Sequence, residues 1–580
     1  MASRLRSSVL SMLLGVTSLA LLPGCDVGPD TESDDVTAGF PEKSAEAQAM
    51  RAFLNDPATT AKVLTSEKIT STVANLIVAH RDGADGVART ADDDAFDTVA
   101  EVDALKGVGS STLQKLASIA SKRGYLAAEK AKKRSVIFSP QAPEAAHTAE
   151  IAKIIDGAAR SIDVAMYSYS DATVGAALAN AVKRGVKVRF VFDTATDDKN
   201  ADAAAKDGTK SGKLELAGID VRAVNKIMHH KFMIVDGPRD DAAAAKTATI
   251  VSGSANWSNG AATKYDENTL FMTAYPEVAL RLQREFNTMW EHAKDFTASK
   301  SVPFEASTLA ITDDLIPNDP GLQIFFTSSN FSVKDQTFSS TGANTISDEL
   351  VRAIDAATDH IHIASGHMRS RPVAEALMRK SKDAPNVEIT IYLDGQEYVS
   401  ESGNAAQKTE RETCLAAANT EAKQRACIDK DYYYGRDVEL AGANVHYKYY
   451  AYRWDASYAA QMHDKIFIVD DALYTGSYNL SDNAEHNTFE NLFLLRGPEF
   501  ADLVDTYEQN FDKLWTQGEG LLPGLTEKID NEATIPLVFP AMSLEWTEVR
   551  DLKALIAKEC PAANSVAYRL APAAHQTCVK

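Results

Sequence analysis

The chain has 580 residues, 45% of them hydrophobic and 24% charged, with a formal net charge of −21. That length suits two or three packed domains rather than one, and the charged fraction is that of a globular chain. The acidity excludes a surface that grips polyanions broadly, because such grips rest on Lys and Arg neutralising phosphates. A local positive pocket remains compatible with it.

Residues 1–24 read as an export signal. Arg4 and Arg6 form a positive n-region, and Val9 to Leu22 form an apolar stretch too short and wrongly flanked for an ordinary membrane span. The stretch ends in Leu22-Pro23-Gly24-Cys25, which resembles the bacterial lipobox, although Pro23 departs from the small or β-branched residue usual there. The resemblance implies a lipidated Cys25 and an exported chain anchored in the bacterial cell envelope, on the periplasmic or surface face of the inner or outer membrane. The alternative is an ordinary secretory signal with an incidental cysteine. Residues 25–44 are a polar, acidic linker.

Residues 45–130 carry apolar positions at helix spacing and form a small helical domain. Within it, Val102 to Ala120 reads helix, Gly107-Val108-Gly109, helix, and resembles the helix-hairpin-helix motif. In that motif the turn's N–H groups meet a nucleic-acid phosphate. Lys115, Lys122, Arg123, Lys130, Lys132, Lys133 and Arg134 add charge, so residues 102–134 are a candidate DNA contact. A packing or protein-docking module that merely needs a glycine turn is the alternative.

The remainder repeats itself. One half, residues 135–300, opens on "VIFSPQ" at Val136, runs through "EIAKIIDGAARSIDVAMYSYS" and reaches "RGVKVRFVFD". After a linker, residues 301–320, the other half spans 321–520, with "LQIFFT" at Leu322, "ELVRAIDAATDHIHIASGHM" and "NVEITIYLDG". Each alternates strand and helix, the pattern of an α/β sheet covered by helices. Both halves end in an aromatic pair at helix spacing, Phe286/Trp290 and Phe511/Trp515, which reads as core. Residues 521–580 are expected to form a C-terminal tail. Four cysteines, Cys414, Cys427, Cys560 and Cys578, follow the lipobox, an even number that favours disulfides in an exported chain. Of the three pairings open to them, the simplest joins sequence neighbours, Cys414 with Cys427 and Cys560 with Cys578.

Late in each half stands one short pattern: His229, Lys231 and Asp236 in "MHHKFMIVDG", and His463, Lys465 and Asp470 in "MHDKIFIVDD". Both read H-x-K-x-x-x-x-D on an apolar, β-branched strand, where period two puts His and Lys on one face. His230, the x of the first copy, then faces the other way and reads as structural. Downstream, Gly253-Ser254-Ala255-Asn256 matches Gly476-Ser477-Tyr478-Asn479, and Glu267-Asn268 matches Glu490-Asn491 at the same step of eleven residues. Between the motif and its Gly-Ser pair the first half carries 16 residues and the second 5, which implies a longer hairpin loop after Asp236.

The doubled motif, with G-S-x-N after each copy, resembles the phospholipase D superfamily over roughly residues 135–520. The resemblance implies two α/β/α sandwich halves related by a pseudo-twofold axis, with both motifs in one cleft. It implies a phosphodiesterase in which one histidine, His229, attacks phosphorus and the other, His463, acts as the acid. Lys231, Lys465, Ser254, Asn256, Ser477 and Asn479 would hold the phosphate oxygens. Glu267 and Glu490 would orient the histidines, and Asp236 and Asp470 complete the motifs in a structural role. No cofactor and no metal are required. The expected substrate is a phospholipid at a membrane surface, turned over by a monomer, since one chain carries both motifs. The aromatic run Val445 to His463 could line a lipid-head pocket or pack a long loop. A metal-independent DNA endonuclease of the same superfamily is the alternative, and a non-catalytic envelope binding protein a third.

Overall fold

The computed structural model describes residues 36–37, 40–42, 44–88, 90, 92–123, 125, 131–193, 198 and 202–580. The chain divides into two compact units, Met1–Leu126 and Ala127–Lys580. The export signal, Cys25, most of the acidic linker and Lys130 lie outside the described residues. Among those described, no helix is long and apolar enough to cross a membrane.

The first unit is helical. Helices α1 (Ala45–Asn55), α2 (Ala61–Ser66), α3 (Ser71–Arg81), α4 (Val99–Asp103) and α5 (Ser110–Lys122) enclose a core built on Met50, Phe53, Ile77, Leu113 and Leu116. Ser44, Thr60, Thr70 and Thr98 start four of them, each side chain accepting a free backbone N–H of the first turn. Between α4 and α5, Gly107 takes a φ of 91°, the left-handed region that glycine enters without strain. Three of the basic residues after this turn are engaged within the unit. Lys122 and Arg123 pair with Glu67, and Lys115 donates to the Lys68 carbonyl.

The second unit holds two eight-stranded sheets. The first contains β1 (Lys133–Ser139), β2 (Ser161–Met166), β3 (Lys187–Phe192), β4 (Asp220–Ala223), β5 (Lys231–Val235), β6 (Thr249–Gly253), β7 (Glu267–Thr273) and β8 (Lys294–Asp295), in the order β8-β4-β3-β2-β5-β6-β7-β1. The second contains β9 (Leu322–Phe326), β10 (His360–Ser365), β11 (Glu388–Asp394), β12 (Asn444–Ala451), β13 (Lys465–Val469), β14 (Ala472–Gly476), β15 (Asn491–Arg496) and β16 (Val538–Glu545), in the order β16-β12-β11-β10-β13-β14-β15-β9. Position for position the two orders are the same. In both, three neighbouring strands run parallel (β2, β3 and β4; β10, β11 and β12), and the motif strand joins antiparallel. The duplicated α/β architecture implied by the sequence is the one observed.

Period two decides which core each side chain enters. From β5, Met233 and Val235 pack with Ile151 of α6 (His147–Asp156) and Leu178 of α7 (Ala172–Lys183). Phe232 and Ile234 point the other way, into a core shared with Ile466 and Ile468 of β13. That shared core also takes Phe286 and Trp290 of α8 (Pro276–His292). On the far side of the second sheet, Phe467 and Val469 pack with Leu350 of α9 (Ile346–Ala356) and Leu377 of α10 (Arg371–Asp383). Phe511 of α11 (Ala501–Trp515) completes the shared core from the second half.

One segment differs from expectation. Residues 521–580 are not a tail: they supply edge strand β16, which pairs with β12, and helix α12 (Trp546–Glu559), whose Val549, Leu552 and Ile556 join the outer core. The longer hairpin loop expected after Asp236 is present, joining antiparallel β5 and β6, and its Arg239 donates to Asp163 on β2. Both sequence-local disulfides are present, with Cα–Cα separations of 5.8 Å for Cys414–Cys427 and 6.2 Å for Cys560–Cys578.

Candidate active site

The two motif strands meet where the halves exchange backbone. Residues 227–228 pair in parallel with 488–489, and Asp266 bridges Met462. The His229 N–H donates to the Phe489 carbonyl at 3.1 Å, and the His463 N–H to the Asp266 carbonyl at 3.0 Å. Each motif therefore lies beside the residue that precedes the other half's glutamate.

The result is a crossed pairing. Nδ1 of His229 is 2.8 Å from Oε1 of Glu490, and Nδ1 of His463 is 2.8 Å from Oε1 of Glu267. The x positions cross too, with Asn491 2.9 Å from Nδ1 of His230 and Asn268 2.8 Å from Oδ1 of Asp464. His230 is fully buried, and its Nε2 lies 3.0 Å from Glu285. Lys231 Nζ lies 3.2 Å from each ring nitrogen of His229, and Lys465 Nζ lies 3.3 and 3.5 Å from those of His463. Because each histidine is held by the glutamate of the other half, the two motifs share one cleft.

Burial dominates the electrostatics. It pushes Glu267 and Glu490 up to about 7 and Lys231 down to about 7, because water is lost around the charged form. Burial first, and then the two lysines, hold both imidazoles well below the usual histidine range. Two lysines face two carboxylates, so with neutral imidazoles the cleft is close to charge balance. An arriving phosphodiester adds a negative charge, which favours a proton on one imidazole.

The supporting residues are fixed by close backbone approach. A Cβ on Gly253 would lie 2.4 Å from the Asn268 carbonyl oxygen, and one on Gly476 2.4 Å from that of Asn491. Only glycine lets β6 and β14 approach the strands that carry the glutamates. The serines that follow do not take the role expected of them. Ser477 donates to Glu490 at 2.6 Å, and Ser254 accepts the Asn268 N–H at 2.9 Å, so both hydroxyls hold the frame rather than facing a phosphate. Asn256 and Asn479 each keep a buried side-chain oxygen without a hydrogen-bond partner. Asp236 and Asp470 stand outside the cleft. With φ of 53° and 52°, they accept the backbone N–H groups of 159–161 and 358–360 at the starts of β2 and β10. Seven residues of strand put them roughly 20 Å from the histidines. They anchor the motif strands and are not catalytic residues.

Three residues were not singled out by the sequence. His147 takes the backbone carbonyl of Asn256 at 3.0 Å and so positions that loop. Tyr167 sets its ring edge-on to His229, 4.5 Å between centroids. His367 acts electrostatically on both motif histidines and lies 3.2 Å from buried Glu397. Tyr167 and His367 follow β2 and β10 at the carboxyl ends of parallel strands, where open α/β sheets place ligands; that was the available signal. The second half has Gly366 where the first has Tyr167, so the cleft is asymmetric. The His463 side chain is 20% exposed against 8% for His229. Among the described residues, three groups bring three metal-capable donors within 4.8 Å of one another, and none includes a residue of this cleft.

Two sheets of one topology, meeting at a doubled His–Lys–Glu cleft, define a duplicated, two-motif phospholipase D-like protein. The family described as cardiolipin synthase, PLD-like domain, matches residues 151–290 and 350–515, and the chain belongs to it. Among characterised proteins, the chain is 35% identical over 136 residues to the mitochondrial cardiolipin hydrolase of Danio rerio, covering 23% of this chain and 51% of that one. It is 32% identical over 141 residues to the phospholipase D of Rickettsia felis, covering 24% of this chain and 62% of that one. The chain thus spans about half the length of the relatives it matches first. Among solved structures, Nuc of Salmonella typhimurium, a phospholipase D family member, is 26% identical over 28% of this chain and 98% of its own, with a TM-score of 0.23. The phosphatidylserine synthase of Haemophilus influenzae is 12% identical over 73% of this chain and 92% of its own, with a TM-score of 0.43.

Proposed function

We propose that the chain is a phosphodiesterase that hydrolyses phospholipids through a phosphohistidine on His229. The observation that carries this reading is the crossed pair of His–Glu contacts beside two buried lysines. With Nδ1 tied to Glu490, His229 offers the Nε2 lone pair to phosphorus, while Lys231 and Lys465 neutralise the non-bridging oxygens. The N–P bond forms as the P–O bond to the headgroup breaks, and His463 gives its proton to the departing oxygen. Water then attacks phosphorus, His463 takes its proton, and the N–P bond breaks. The nucleophile is assigned to His229 because it is the deeper of the two and is packed against Tyr167. The acid must meet a leaving alcohol and then water, which suits the more open His463. The names of the cardiolipin hydrolase and phospholipase D relatives support a phospholipid as the substrate. The export signal and Cys25 read in the sequence support a lipid-anchored site of action at the cell envelope.

The test is an activity panel on residues 26–580, with EDTA present, offering phosphatidylcholine, phosphatidylglycerol, cardiolipin, and single- and double-stranded DNA. The expected result is turnover of a phospholipid that His229→Ala and His463→Ala each abolish. Cleavage of DNA without lipid turnover would replace this reading with a nuclease, and loss of activity on chelation would overturn the metal-free chemistry.

A further inference from the structure

At the carboxyl ends of β11 and β12, the second half forms a half-open cavity of about 300 Å³ whose composition is unusual for so acidic a chain. Lys553, Arg453 and Arg569 line it, and among the described residues no carboxylate does. Lys448 also reaches the wall, but its charge is met by Asp266. Lys553 has no ion pair among the described residues. Its ammonium lies 5.6, 5.5 and 5.3 Å from the ring centres of Tyr398, Tyr449 and Tyr452, and its contacts to the Tyr449 hydroxyl and the Tyr452 carbonyl are 3.5 and 3.3 Å long. Nε of Arg453 is buried without a hydrogen-bond partner. Trp454, 43% exposed, stands on the same lining. Cations without an ion pair, gathered at a concave site whose lining carries no carboxylate among the described residues, raise the local concentration of an anion. Lys553 and Arg453 are half-buried, so their contacts to that anion are less screened by water than those of exposed Arg569.

The cavity is also coupled to the catalytic segment. Gly395 on its wall follows Asp394, whose carboxylate accepts the Met462 N–H at 2.9 Å and lies 3.3 Å from the Tyr450 hydroxyl. Lys448 holds Asp266, whose carbonyl takes the His463 N–H. The cavity wall is therefore bonded directly to the segment that carries the histidine facing the leaving group. We propose that this cavity is a second anion site, which takes a phosphate group carried by the substrate beyond the scissile one. The inference rests on the phosphodiesterase reading above. It adds that the favoured substrates are lipids bearing two phosphates.

Two experiments on the full chain test it, one independent of turnover. In the first, glycerol 1-phosphate is titrated while tryptophan fluorescence is followed, with inorganic phosphate run beside it. A saturable change is expected that disappears in Trp454→Phe and weakens about tenfold in Lys553→Met, the worth of one charge-assisted hydrogen bond. Lys553→Arg should restore it. No saturable change, or one indifferent to both Lys553→Met and Arg453→Met, overturns the site. Inorganic phosphate binding as tightly as the ester would assign the cavity to the free ion and overturn the substrate role. In the second, KM is compared on vesicles containing cardiolipin, which has two phosphodiesters, and phosphatidylcholine, which has one. Lys553→Met should raise KM about tenfold for the first and leave the second unchanged; equal effects on both would overturn the proposal. Should the unaltered protein turn over no lipid at all, the phospholipase reading fails, while the titration still decides the cavity.

Discussion

An imidazole with Nδ1 bound to a carboxylate keeps its proton there and presents Nε2 as a lone pair, and in this cleft the binding is made across the halves. Glu490 holds His229 and Glu267 holds His463, each at 2.8 Å. The glutamates are consequently not interchangeable, and each should control the step of the histidine that it touches. Glu490→Gln should slow formation of the covalent intermediate by about 10²–10⁴, the scale seen when an orienting carboxylate is lost. Glu267→Gln should slow hydrolysis of the N–P bond more than its formation, so that the intermediate accumulates. Rapid-quench trapping under alkaline conditions, followed by mass spectrometry of the His229 peptide, separates the two; the opposite pattern would exchange the roles of the histidines. Sequence spacing identified both glutamates, because the step from Asn256 to Glu267 equals that from Asn479 to Glu490. It did not show which histidine each one meets. That depends on the pairing of residues 227–228 with 488–489, a contact between segments far apart in the chain. The serines were misread for a related reason. A hydroxyl beside a phosphate motif looks like a phosphate ligand until the fold shows Ser477 donating to Glu490.

At the scale of elements, the strand that carries the first motif is held in register by charges buried beside it. Asp163 on β2 receives Arg189 from β3 at 2.7 Å and Arg239 from the loop after β5 at 2.6 Å, all three nearly inaccessible. Burial alone would push this carboxyl up, but the two guanidiniums outweigh it and hold it well below the usual carboxylate range. A folded-state pKa below the unfolded one stabilises at every pH above the unfolded value, near 3.9, and the contribution is lost as pH falls through the folded value. Asp163→Asn leaves two buried guanidiniums without an anion and should cost about 3–5 kcal/mol at pH 7. The gap between variant and parent should close as the pH falls below about 4. Urea unfolding at the two pH values measures both; a gap that persists unchanged in acid would mean that the cost is packing rather than charge. The sequence reading identified the strand–helix alternation here, since hydrophobic periodicity is local. It could not place Arg239, which sits in the extra loop of the first half, nor β16, whose pairing with β12 is set by tertiary packing.

At the scale of the whole second unit, the halves are neither separate domains nor a simple tandem. Ile234 from β5 and Ile466 from β13 lie in a single shared core, with Phe286 and Phe511 from the two C-terminal helices of the halves. Separating the halves would expose that face and would also remove each histidine's glutamate. Because every member of the cleft comes from one polypeptide, a monomer is sufficient for a complete site. Symmetric dimers can nevertheless form by exchanging equivalent elements, and a duplicated chain is open to that exchange, since the first half of one copy could join the second half of another. The two arrangements differ in complementation. In chains that each fold on themselves, a mixture of His229→Ala and His463→Ala, unfolded together and refolded together, contains no complete site and should remain inactive. In exchanged dimers, random assortment of the two variants would create some clefts with both histidines, and activity would return to about a quarter of the parental value, because a complete cleft requires an unaltered half from each of two independent draws. Co-refolding at increasing protein concentration, with lipid turnover and mass measured on the same samples, distinguishes them. The crossed contacts within one chain predict silence at every concentration, and recovery that rises with concentration would show that the functional unit is the exchanged dimer.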